Sequence, residues 1–141
     1  MTIEIKLDKG ALLPSRAHPA DAGIDLKAKE TDGIPAHGSC TFNTGVHVNI
    51  PEGYVGFLKA KSGLNVKFDI TGTGVIDAGY TGPIVVKLYN HGDSDYVVNA
   101  GDKIIQLVIL PIITPDCCVV DHFTQIADST RGDGGFGSSG K

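Results

Sequence analysis

Four stretches of this 141-residue sequence gather side chains that can handle phosphate or activate water. Gly74-Val75-Ile76-Asp77, continued by Ala78-Gly79-Tyr80-Thr81-Gly82, sets a carboxylate and a phenol three positions apart in a glycine-rich segment that reads as a β-hairpin. A carboxylate at a pocket mouth can take a proton from water, and a tyrosine ring can stack on a sugar. An Asp at a turn also serves as a local Asx cap, so residue type leaves both roles open. Lys61-Ser62-Gly63 follows an apolar run and offers a cation, a hydroxyl and backbone amides, which together suit phosphate oxygens. The same three residues also read as an ordinary strand-ending turn. Ala22-Gly23-Ile24-Asp25-Leu26 places an acid between apolar neighbours, as a structural hydrogen-bond acceptor or an oxygen ligand for Mg²⁺.

The fourth stretch is the end of the chain, Arg131-Gly132-Asp133-Gly134-Gly135-Phe136-Gly137-Ser138-Ser139-Gly140-Lys141. Its composition cannot bury enough apolar surface to offset the entropy of ordering it, which predicts a mobile segment from about residue 124 onward. Gly135 to Lys141 matches G-x-x-x-x-G-K, but no Ser or Thr and no helix follow the Lys, so the phosphate-loop reading fails on context. A flap that orders over a ligand is the other reading. Arg131 can pair with phosphate, Phe136 can stack on a base, and glycine amides can approach anions closely.

The elements that must position these groups are strands. The sequence holds 19 Gly and 7 Pro, with apolar runs that are short and recur about every ten residues. Ile3 to Leu7 and Val46 to Ile50 alternate apolar and polar, as half-buried strands do. Tyr54–Lys61, Gly74–Ile76, Ile84–Tyr89 and Val119–Phe123 add further strands. Lys103–Leu110 reads as a strand buried on both faces. Ser62 to Lys67 is the one place with room for a helical turn or two. The pattern is that of an all-β barrel or two-sheet sandwich.

Composition narrows the function classes. Net charge is −4 with no basic stripe, which argues against nonspecific nucleic-acid binding. No apolar run approaches the roughly 20 residues of a membrane helix. The N-terminus shows no basic start followed by an apolar core, so a cytoplasmic location with reduced thiols is expected for Cys40, Cys117 and Cys118. His18, His37, His47, His91 and His122 form no paired-ligand spacing, so a zinc enzyme is not expected.

Taken in order, five segments resemble the five motifs of the homotrimeric dUTPases. They are Ala22 to Leu26, Lys61-Ser62-Gly63-Leu64, Gly74 to Gly82, Gly101-Asp102-Lys103-Ile104-Ile105-Gln106-Leu107 and Arg131 to Gly140. The resemblance runs from about residue 11 to 140. Three departures stand out. Lys61 replaces the usual Arg and loses its planar bidentate fork. Gly79 stands where a second acid is common, and Ser138-Ser139 where Ser-Thr is common.

The resemblance implies a jelly-roll-like distorted β-barrel over residues 1–123, with a C-terminal flap over 124–141 that completes a neighbouring subunit's site. It implies hydrolysis of dUTP to dUMP and pyrophosphate, which keeps uracil out of DNA and supplies dUMP for dTMP synthesis. On that analogy Asp77 activates the water that attacks the α-phosphorus. Asp25 and Gln106 help hold Mg²⁺ and its waters, Asp25 partly through water. Lys61, Ser62 and Gly63 bind phosphate oxygens, and Arg131, Gly137, Ser138 and Ser139 close on the phosphate end. Phe136 lies over the uracil. Backbone groups from Thr71 through Gly74, Val75 and Ile76 read the uracil edge, and Tyr80 beneath the sugar leaves no room for a 2′-hydroxyl. The implied partners are dUTP and two further copies of the chain, with neither nucleic acid nor membrane. Two other readings share the scaffold: a dCTP deaminase, which needs an added Glu-centred site for which the sequence shows no clear residue set, and a regulatory protein with weak turnover.

Overall fold

The structure, a computed structural model, describes residues 2–123, 130 and 132–135. Its strands are short because turn residues interrupt each apolar run. They are β1 (Glu4–Leu7), β2 (Gly23–Lys27), β3 (Asp32–Ile34), β4 (Ser39–Asn43), β5 (Val46–Asn49), β6 (Tyr54–Ala60), β7 (Ile70–Thr71), β8 (Thr73–Ile76), β9 (Val85–Asn90), β10 (Tyr96–Val98) and β11 (Lys103–Pro111). One helix, α1 (Ser62–Phe68), follows β6. All pairings are antiparallel, and the architecture is all-β and jelly-roll-like.

Hydrogen bonding sorts the strands into a four-stranded sheet in the order β2-β11-β6-β8, a three-stranded sheet β4-β9-β7, and the pairs β1-β5 and β10-β3. Strand periodicity sends alternate side chains to opposite faces. Leu26, Leu58, Ile76, Ile105 and Leu107 of the larger sheet meet Phe42, Ile70, Val86 and Leu88 of the smaller in one apolar cluster. Each buried Leu or Ile contributes roughly 1.5–3 kcal/mol relative to exposure. Asn90 is the buried polar member of β9; its amide donates to the Ile34 and Ser94 carbonyls, and its Oδ1 accepts from the Gly92 amide. Among the described residues no buried side-chain polar atom lacks a partner.

Three expectations from the sequence change. The segment 74–82 is not a hairpin: β8 pairs with β6, whereas β9 pairs with β4 and β7 in the other sheet. Residues 77–84 therefore cross between sheets. The reverse crossing, from β7 to β8, occurs at Gly72, where a Cβ would lie 2.8 Å from Leu88 Cδ2 and 3.2 Å from the Lys87 carbonyl. Val119–Phe123 forms no strand: the segment pairs with none of the sheets, and Val119 and Phe123 stand exposed. β11 is buried on both faces only at Ile104 and Ile105; beyond Leu107 it emerges. The short β3, β4, β7 and β10 carry too few apolar residues to stand out in the sequence.

Candidate active site

The end of the large sheet near Lys61 is built around Asp25. In β2, Asp25 lies opposite Gln106 of β11, on the face turned away from the core. Its side chain is only 5% exposed, yet it accepts from two ammonium groups: Lys61 Nζ at Oδ1, and Lys103 Nζ at Oδ2 at 3.0 Å. Burial works against the charged carboxylate, but the hydrogen bonds and charges of Lys61 and Lys103 outweigh it and hold the group below the ordinary carboxylate range. Gln106 donates from Nε2 to the Ala60 carbonyl at 3.2 Å and lies flat against Gly23, where a Cβ would clash with its amide. Lys61 caps α1 in an extended conformation, so Ser62 and Gly63 form the helix's first turn, where backbone N–H groups have no partner within the helix.

Lys103 was not among the residues singled out from the sequence. Its signal was present, since it lies within the segment Gly101–Leu107. A lysine opening a strand, however, looks like an ordinary solvated charge.

Among the described residues β8 is the outer strand of the large sheet, bonded to β6 on one side only. Gly74 and Ile76 turn inward, Gly74 against Leu58 and Ile76 into the core, whereas Thr73 and Val75 face outward. What Gly74 and Ile76 can offer a ligand is therefore backbone. Thr71 belongs to the other sheet; it pairs with Tyr89, and its hydroxyl bonds to His91 Nε2 at 2.8 Å.

Past β8 the chain turns over Asp77, Ala78 and Gly79. The Tyr80 amide donates to the Asp77 carbonyl at 3.2 Å, and Gly79 takes φ +80°, a left-handed conformation that glycine adopts without penalty. Tyr80 donates its hydroxyl to the Pro83 carbonyl at 3.0 Å and remains 44% exposed. Asp77 is exposed.

Within one chain these groups do not meet. β8 runs antiparallel to β6, with Thr73 opposite Lys59 and Ile76 opposite Gly56. Asp77 leaves the sheet at the start of β6, while Lys61 lies past its end. Asp77 falls level with Val55, six residue steps from Lys61, roughly 20 Å at 3.3 Å per residue. Asp25, Gln106, Lys61, Ser62 and Gly63 thus form one cluster and Asp77 and Tyr80 another. Arg131, Phe136, Gly137, Ser138 and Ser139 lie outside the described residues.

Asp25 does not suit direct metal ligation. Both its oxygens are engaged by ammonium groups, and no group of three or more His, Cys, Asp or Glu among the described residues is placed to hold an ion. Mg²⁺ binds readily to phosphate oxygens while keeping several waters, so a metal here would have to arrive on a ligand. No helix among the described residues is long and apolar enough to cross a membrane.

The sequence matches the dUTPase family model over residues 9–140. Deoxyuridine 5′-triphosphate nucleotidohydrolase of Arabidopsis thaliana is 43% identical over 136 residues, covering 96% of this chain and 80% of that protein. The enzyme of the same name from Paramecium bursaria Chlorella virus 1 is 39% identical, covering 96% and 94%. The structure of Staphylococcus bacteriophage 80alpha dUTPase with dUpNHpp superposes with a TM-score of 0.93 at 35% identity over 99% of each chain. A mutant dUTPase from phage phi11 of S. aureus, solved to detail the coordination of a structural Mg(II) ion, superposes with a TM-score of 0.82 at 33% identity, covering 88% of this chain and 99% of that one.

Proposed function

The chain belongs to the dUTPase family, and from that premise we propose that it hydrolyses dUTP to dUMP and pyrophosphate at a site shared between copies of the chain. The observation that carries the shared site is the separation of its two clusters. A base at Asp77 and phosphate ligands at Lys61 and Ser62, roughly 20 Å apart along one sheet, cannot serve one α-phosphate unless a second copy supplies one of them. A homotrimer satisfies this with three equivalent sites.

In this reading the substrate enters as the Mg²⁺ complex of dUTP, the metal carried on phosphate oxygens, where it offsets their charge. Lys61, with the Ser62 hydroxyl and the Gly63 amide, receives the phosphates. Asp77 takes a proton from a water as that water's oxygen bonds to the α-phosphorus. The bond from that phosphorus to the α,β-bridging oxygen breaks, and pyrophosphate leaves with the bonding electrons. General-base help of this kind is typically worth 10²–10⁴ in rate.

The free edge of β8 presents backbone donors and acceptors that match the mixed edge of a uracil. A base with the wrong edge leaves groups unpaired at roughly 1–3 kcal/mol each. Tyr80 stacks under the deoxyribose. Arg131, Gly137, Ser138 and Ser139 complete the phosphate contacts, and Phe136 covers the base. Cells gain by removal of dUTP, which keeps uracil out of DNA, and by a supply of dUMP for dTMP synthesis.

Incubation with dUTP and dCTP, assayed for pyrophosphate and ammonia, tests the reading. Pyrophosphate from dUTP without ammonia from dCTP is expected; ammonia from dCTP overturns it. Light scattering should give about three times the 14.7 kDa chain mass, and a stable monomer would defeat the shared site.

A further inference from the structure

Next to the crossover that carries Asp77 and Tyr80, a cleft of about 260 Å³ is lined by Lys6, His47, Asn49 and Thr81, among others. His47 belongs to β5 and is 13% exposed. Its Nδ1 lies 2.7 Å from the Thr81 carbonyl oxygen, and its Nε2 lies 3.0 Å from Asp8 Oδ1. Carbonyl and carboxylate oxygens only accept, so Nδ1 donates to Thr81 and, in the imidazolium form, Nε2 donates to Asp8. One ring therefore ties the crossover to the segment after β1.

That anchor is itself held. The Asp8 amide donates to the Gly45 carbonyl at 2.9 Å. Gly45 has φ +66°, and a Cβ there would come within 2.9 Å of the Ala11 Cβ, so the turn keeps Asp8 in one place. The Tyr80 bonds described above, to Asp77 and Pro83, are internal to the crossover and do not fix its height over the sheet. At its far end, the Ile84 amide donates to the Val46 carbonyl at 2.8 Å. The His47 bond falls between these points, one residue from Tyr80.

We infer that His47 is a positioning residue that fixes Tyr80 under the sugar and so sets discrimination between deoxyribo- and ribonucleotides. The inference rests on the reading of dUTP as substrate and of Tyr80 as the sugar platform. Misplacement of about 1 Å in a binding group can cost up to 10²-fold in rate. A loosened Tyr80 admits the 2′-hydroxyl that a fixed ring excludes.

Two substitutions separate the two bonds. In His47→Asn the amide nitrogen falls close to the position of Nδ1, keeping the donor to Thr81 while losing Asp8. In His47→Gln it falls close to Nε2, keeping Asp8 and losing Thr81. The ratio of kcat/KM for dUTP to that for UTP should fall about tenfold in His47→Gln and stay within about threefold of the parent in His47→Asn. A merely structural role would move both variants alike. Amide exchange gives a readout that needs no turnover: the Tyr80 amide should exchange faster in His47→Gln than in the parent or in His47→Asn. A parent that fails to hydrolyse dUTP defeats the proposed function, while the exchange comparison still decides whether His47 holds Tyr80. A parent that prefers dUTP, with an unchanged ratio in His47→Gln, defeats the inference and leaves the function standing. Equal exchange in all three proteins also overturns it.

Discussion

Gly82 lies under the ring of Tyr80, so closely that a Cβ on Gly82 would come within 2.6 Å of the ring's Cζ. The ring therefore rests on the chain two residues ahead of it while its hydroxyl bonds to Pro83. Gly82→Ala should push the ring outward. The expected result is a KM for dUTP raised about tenfold, the order of one lost stacking contact of 1–3 kcal/mol, with thermal stability nearly unchanged because Tyr80 is already exposed. Steady-state kinetics and a melting curve check both halves.

Asp77→Asn should fold and bind nucleotide but turn over at least about 100-fold more slowly, the lower end of general-base assistance. Asp77 is exposed and outside the apolar cluster, so the loss should fall on kcat rather than on stability. Calorimetric binding of a nonhydrolysable dUTP analogue together with kcat provides the check; near-parental kcat would remove Asp77 from the mechanism.

The Asp25 cluster makes stability depend on pH. Lys61 and Lys103 hold the Asp25 carboxyl below its unfolded value of about 3.9. The stabilisation is therefore fully present above that pH and is lost as pH falls through the lower folded value. Asp25→Asn removes the acceptor of two ion pairs and should cost about 1–3 kcal/mol at neutral pH. In urea melts from pH 7 down to pH 2 the gap between parent and variant should close in the acid range. A gap that is constant with pH would contradict the assignment.

Removal of residues 131–141 should leave the fold intact, since among the described residues the apolar core lies between Leu26 and Leu107. Turnover of dUTP should fall at least about 100-fold, as a phosphate clamp and a stacking ring are lost together. Circular dichroism melting beside a pyrophosphate assay would show one without the other.

Much of the fold was legible because strands with alternating burial write their period into the sequence. β5 and β9 show it plainly, with Val46 and Val48, and Val86 and Leu88, turned inward. The helix α1 falls at Ser62 to Lys67, where the sequence left room for a helical turn or two, and runs on to Phe68. The partners of β8 were not legible. Nothing local distinguishes a hairpin from a crossover when the turn residues suit both, and only Gly72, squeezed against Leu88, reveals the sheet change. In the site, Asp25 and Lys61 were visible separately, but neither Lys103 nor the pairing of both lysines with Asp25 was, because they are 36 and 78 positions away in sequence and meet it only through the pairing of β2 with β11 and the end of β6.

The one-sided bonding of β8 carries a cost outside catalysis. An unpaired strand edge is a template on which another chain can add a strand, the first step of edge-to-edge aggregation. Here the edge is four residues long, contains Gly74 and displays Val75 at 58% exposure. Shortness and glycine limit its reach, but they offer no charge or proline to repel a newcomer. A nucleobase bonded along that edge would block it as surely as a neighbouring strand, so nucleotide should slow self-association on storage even when it leaves the melting temperature unchanged.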